Sequence, residues 1–215
     1  DGIRMWYSSG NLIENNRFER IRDLLITNSP GNRIIGNRIS NSRMGMELVF
    51  SPDNEIINNR ISQNSNGIVV IYSHGLLLQG NHIYQLRNIT GSALSIKDSS
   101  RVKVKQNQII HCATGLIANA PVHPENIIFF NDNLFAYNDV AIYFYGEKGG
   151  HLLHNNRFTS NNVEVLVSSD TSALDNDWRG NHWDRYQGFD RNRDGVGDTP
   201  HSIILYSDRI WMDRP

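Results

Sequence analysis

Between Asp190 and Asp198 the chain sets oxygen-bearing side chains at alternate positions, Asp190, Asn192 and Asp194, followed by Gly195, Val196 and Asp198. This is the ligand spacing that opens an EF-hand calcium loop. Hard carboxylate and amide oxygens surround a hard cation, the glycine permits a sharp turn, and the residue at the Val196 position offers its backbone carbonyl. The closing bidentate glutamate is missing, because His201 stands where it is expected. Two readings follow: a structural calcium site that pins this segment, or an Asp/Asn/Gly-rich surface turn without metal.

A second group of residues suits a soft metal. Cu(I) prefers thioether, thiolate and imidazole donors to carboxylates. Met44 and Met46 place two thioethers within three residues, and His74 follows in the next repeat. Met46 aligns with Ile3 and Ile68 at an inward position, so its default role is core packing. His111-Cys112 is another soft pair, but Cys112 is the chain's one cysteine, which rules out an intramolecular disulfide and suits a small buried thiol. Arg17, Arg38 and Arg60, followed by His82, recur once per repeat and would stack as a docking face or as solvated charge. Phe50 and Tyr72 are aromatic candidates for partner contact.

These side chains are positioned by a repeat marked with asparagine. Asn16, Asn37, Asn59, Asn81, Asn107, Asn133, Asn156 and Asn181 each precede a large apolar residue by two positions, at intervals of 21 to 26 residues. Another apolar residue lies three positions before each asparagine, and several units continue into Gly-apolar-x-apolar, as in Gly45-Met46-Glu47-Leu48 and Gly67-Ile68-Val69-Val70. Alternation at period two over short runs, separated by Asn, Gly and Ser, predicts short strands and tight turns. No unit has room for an amphipathic helix between its turns. The expected fold is all-β: a right-handed parallel β-helix of about eight coils, with asparagine side chains bonded from coil to coil through a left-handed bend.

The repeat predicts coils over residues 1–183 and a C-terminal cap over 184–215. The chain starts in mid-coil at Asp1-Gly2-Ile3, so earlier coils are expected to be missing. A formal net charge of −1 excludes a general nucleic-acid binder, which needs a basic surplus. No apolar run reaches membrane-spanning length.

An enzyme of the β-helix class would cluster acids on an outward face. The outward column after the glycine site is read as Arg4, Ile26, Glu47, Val69, Ser95, Ile117, Tyr143 and Leu166, with a single carboxylate. The column before the glycine is read with Asp1, Asp23 and Met44 in successive coils. The apolar stripe in the first column predicts contact with a partner or with a terminal segment such as Ser202 to Tyr206. A glycan-binding or glycan-modifying β-helix, of lyase, hydrolase or epimerase type, remains the alternative function.

The Asn-x-Ile coils ending in Gly180-Asn181-His182-Trp183-Asp184-Arg185-Tyr186-Gln187-Gly188-Phe189-Asp190, followed by Asp194-Gly195-Val196-Gly197-Asp198-Thr199-Pro200, resemble the NosD family. The resemblance implies a non-enzymatic periplasmic accessory protein, a metallochaperone or docking scaffold in nitrous oxide reductase maturation. Its implied partners are an ABC-type ATPase and permease, a copper-donor lipoprotein and the reductase. Its implied cargo is copper.

Overall fold

The computed structural model describes residues 1–119, 127–145, 149–168 and 173–203. Among the described residues there is no helix, and the strands form three parallel sheets stacked as a β-solenoid of about eight turns. The first sheet has eight strands, from Ile3–Trp6 to Val163–Val167. The second has seven, from Leu12–Glu14 to Leu152–His154, and the third has eight, from Arg17–Glu19 to His182–Trp183. Every strand pairs in parallel with its equivalent one coil away.

The short strands alternate inward apolar and outward polar side chains, as period-two geometry requires. Ile34, Ile56, Leu78, Val104, Phe130 and Leu153 form the inward column of the second sheet, and Ile39, Ile61, Ile83, Ile109, Phe135 and Phe158 that of the third; all are essentially fully buried. Each such side chain contributes about 1.5–3 kcal/mol by leaving water. Only the sum over many coils outweighs the ordering entropy, so the stack is the folding unit.

At the bend between the second and third sheets the asparagines form a continuous ladder. Asn59 Nδ2 donates to Asn81 Oδ1 at 3.0 Å and to the Ile34 carbonyl at 2.8 Å, while the Asn59 amide also donates to Asn81 Oδ1 at 2.9 Å. The same pattern links Asn37 to Asn59, Asn81 to Asn107 and Asn107 to Asn133. Each buried amide is thereby paired, which avoids a penalty of about 1–3 kcal/mol per unmade bond. The left-handed backbone lies one residue earlier than the sequence suggests. Asn15, Asn58 and Asn155 have φ of 56°, 55° and 54°, and Gly36 and Gly80 both have 64°.

Two columns also shift from the expected alignment. Leu25, not Ile26, pairs outward with Arg4 and Glu47, while Ile26 is a core residue opposite Met5 and Leu48. Asp23 occupies the glycine column and Arg22 stands beside Met44. Like the coils with Ala93, Ala141 and Glu164, that coil has no glycine in the column, and its Leu24-Leu25-Ile26 run is apolar at every position, so alternation does not mark its inward face. The column is tight: a Cβ on Gly67 would lie 2.2 Å from the Ala93 carbonyl oxygen.

The solenoid ends in an aromatic stack. Phe135, Phe158 and Trp183 lie face to face along the axis, with centroid separations of 5.3 and 4.1 Å, and His201 stacks on Trp183 at 4.8 Å. Residues 184–203 contain no strand and run over this end of the core. The Ser202 to Tyr206 run falls mostly outside the described residues, as does the rest of the cap beyond residue 203.

Candidate functional site

The calcium-type loop is closed by its own backbone. Asp190 accepts the amides of Asp194 and Gly195 at 3.2 and 2.9 Å, Asp194 accepts that of Val196 at 2.8 Å, and Asp198 accepts that of Arg191 at 2.6 Å. Asn192 bridges to Asp194, with Nδ2 donating to Oδ2 at 2.8 Å. Gly195, at φ 85°, makes the sharp turn. Among the described residues no three His, Cys, Asp or Glu side chains converge as a ready metal set. The carboxylate oxygens keep further lone pairs, so the loop carries oxygen donors for a cation although they are engaged with its own amides.

Tyr186 anchors this loop from beneath. Its hydroxyl lies 2.8 Å from the Thr199 carbonyl oxygen, and the ring passes so close to Gly188 and Gly197 that a Cβ on either would meet its hydroxyl at 2.0 and 1.9 Å. These glycines are there to let the aromatic ring through.

The soft-donor residues are dispersed. Met46 is fully buried in the core, opposite Leu24 and Ile68. Met44 is half-buried at the start of Met44–Val49, opposite Asn66. His74 lies past the far end of the neighbouring strand, Asn66–Ile71, so the strand separates it from Met44 by more than about 16 Å. Its Nδ1 accepts the Ser100 amide at 2.9 Å, which leaves the proton of a neutral ring on Nε2. That tautomer offers no lone pair to a metal. Met44, Met46 and His74 are therefore not one coordination set, and Met44 is the thioether with access to solvent. Burial raises the Cys112 thiol to about 11, which disfavours the thiolate a metal needs.

The basic residues do form a row. Arg17, Arg38, Arg60 and His82 share one outward column of the third sheet. Arg17 pairs with Glu19 at 2.9 Å. Partial burial, reinforced by the Arg60 charge, lowers the His82 pKa from its ordinary value. Phe50 and Tyr72 also meet, with rings stacked at 5.0 Å and 7° on the corner between the first and second sheets. Both are about half exposed and hold left-handed φ of 49° and 47°, a costly conformation for bulky side chains.

Of two buried carboxylates, the sequence reading misses Glu164 and places Asp23 one position out of register. Glu164 takes the place that Gly115 and Ala141 hold in earlier coils, and its Oε2 lies 2.9 Å from His201 Nε2. Its Oε1 is buried without a hydrogen-bond partner. A cleft of about 560 Å³ opens here, between Glu164, Asp184, Tyr186, Gly188, Thr199 and His201. Asp23, also fully buried, is held by Arg43 at 2.6 Å and Arg22 at 3.2 Å. A carboxylate interrupting the glycine column was the available signal for both.

The sequence model of the family described as "Periplasmic copper-binding protein (NosD)" matches residues 1–188. A protein of Stutzerimonas stutzeri, named a probable ABC transporter binding protein NosD, is 32% identical over 83 residues. The match covers 38% of this chain and 19% of that protein, so the chain spans a small part of the relative's length. No helix among the described residues is long and apolar enough to cross a membrane. With most of its length matched by the family, the chain belongs to the NosD family of periplasmic copper-binding proteins.

Proposed function

We propose that this chain is a periplasmic scaffold that docks on an ABC-type ATPase and permease and helps to pass copper from a donor lipoprotein to nitrous oxide reductase. It acts by binding and not by catalysis. The family match over residues 1–188 carries the reading. The outward column of the first sheet supports it: Arg4, Leu25, Glu47, Val69, Ser95, Ile117, Tyr143 and Leu166 include one carboxylate and no acid pair. Its apolar members, with Phe50 and Tyr72 at the corner, suit contact with another protein.

Copper is the cargo in this reading. Met44 offers one accessible thioether, and a partner protein completes the donor set, as a hand-over requires. The Asp190 to Asp198 loop takes a structural calcium ion that fixes the cap over the aromatic end of the core.

The test is copper loading of the reductase in cells that express the transporter, the donor and this protein. Reductase made with the protein present should carry its full copper content, and reductase made without it should be copper-poor. Equal copper content in the two preparations would contradict the proposal.

A further inference from the structure

The Arg17 row is not balanced by the rest of its face. Arg38 and Arg60 stand on adjacent coils, roughly 4.8 Å apart, and both are exposed. Among the described residues neither has an ion-pair partner, whereas Arg17 has Glu19 and Arg33 on the second sheet has Glu55 at 2.9 Å. The adjoining column continues from Glu19 into Ser40 and the buried Ser62, so neither of these coils sets a carboxylate beside its arginine. Like charges so placed repel unless an anion lies between them.

The charge of the whole chain narrows the choice of anion. Residues 1–105 hold thirteen Lys or Arg and eight Asp or Glu, while residues 106–215 hold eight and fourteen. Along the row itself the column continues from His82 into Gln108 and Leu134 before the next cation, Arg157, so a long polyanion would lose its cations after the first four coils. Nucleic acid needs a continuous basic track, which this distribution denies it. A short acidic stretch of polypeptide fits the basic half alone, and guanidinium forks bind carboxylates with two parallel hydrogen bonds.

We propose that Arg38 and Arg60, flanked by Ser40 and His82, form a docking row for an acidic polypeptide segment of a partner protein. This deepens the scaffold reading and rests on it for the identity of the partner, but the chemistry of the row is independent of copper.

Fluorescence anisotropy with fluorescein-labelled hexaglutamate at low ionic strength tests it, with no metal present. The parent chain should bind the peptide, and the Arg38→Gln/Arg60→Gln variant should bind at least about tenfold more weakly, since the loss of even one charge-assisted hydrogen bond is worth roughly that factor. Arg33→Gln, which removes an already paired guanidinium, should match the parent, and unchanged melting of both variants should exclude unfolding as the cause. Equal binding by the parent and the double variant would overturn the proposal. So would tighter binding of a six-nucleotide single-stranded DNA, or of phosphatidylglycerol vesicles, than of hexaglutamate. If reductase loading fails to depend on the protein while hexaglutamate binding follows Arg38 and Arg60, the copper role falls and the docking row stands.

Discussion

After Phe18 in the first coil, the inward column of the third sheet is aliphatic through Ile39, Ile61, Ile83 and Ile109, and it becomes aromatic toward the C-terminal end, with Phe135, Phe158 and Trp183. The glycine column changes in parallel, from Gly45 and Gly67 to Glu164. The coils with Gly45 and Gly67 stack like on like and present the same interior to the next coil, whereas Asp23 interrupts the column once before them. The last coils face a segment that does not repeat. Flat rings accept the His201 imidazole there, and Glu164 is tolerated where a side chain from outside the repeat meets it. The difference teaches that the repeat builds the fold, while its departures mark where the solenoid stops and where surfaces become specific.

Substitution in the aromatic stack should separate the two regions most sharply. Phe158→Ala removes the ring between Phe135 and Trp183 and should cost about 3–5 kcal/mol in denaturant unfolding, with earlier loss of Trp183 fluorescence order than of β-sheet signal. A loss below about 1 kcal/mol would show that the end of the solenoid is not held by this stack. Calcium should act on the same end. At a concentration one hundred times its Kd it should stabilise the native chain by about 2.7 kcal/mol, read as a raised Tm that a chelator reverses. An unchanged Tm would leave the Asp190 to Asp198 loop as a turn closed by its own amides.

Effects on the basic half should be smaller. Arg33→Ala, which breaks an exposed pair with Glu55, should cost no more than about 1 kcal/mol in the same unfolding measurement. His82 should titrate below the ordinary histidine value, because burial first and Arg60 second disfavour its charged form. Its neutral form is favoured on folding, so the associated stability is complete above the unfolded pKa of 6.5 and declines as pH falls through the lowered folded value. Arg60→Ala should move the NMR midpoint of His82 part of the way upward, whereas Arg157→Ala, farther along the same column, should leave it in place.

The columns were legible in the sequence because each coil repeats the same environment. Eight asparagines with flanking apolar residues define the bend, the core and the parallel register without any structure. The register failed only at the coil containing Asp23, whose Leu24-Leu25-Ile26 run is apolar at every position and gives no alternation; one residue of slip placed Ile26 outward in place of Leu25. The candidate site was less legible. Met44 and His74 belong to successive coils, but a strand's length parts them, and spacing along the chain does not reveal which end of a sheet a residue occupies. The Glu164–His201 contact joins residues 37 apart across the end of the repeat, where no period applies. Asp190 to Asp198 kept its spacing while its oxygens turned onto the loop amides, an orientation that residue types alone do not specify.

The carrier reading depends most on whether Met44 touches copper. Anaerobic titration of the chain against a chromophoric Cu(I) chelator measures this directly. The account predicts weak Cu(I) retention by the parent, a clear loss in Met44→Ala, and in Met46→Ala a fall in stability of about 2–5 kcal/mol from the core cavity with retention kept in the folded fraction. Identical Cu(I) retention by the parent and Met44→Ala would contradict it.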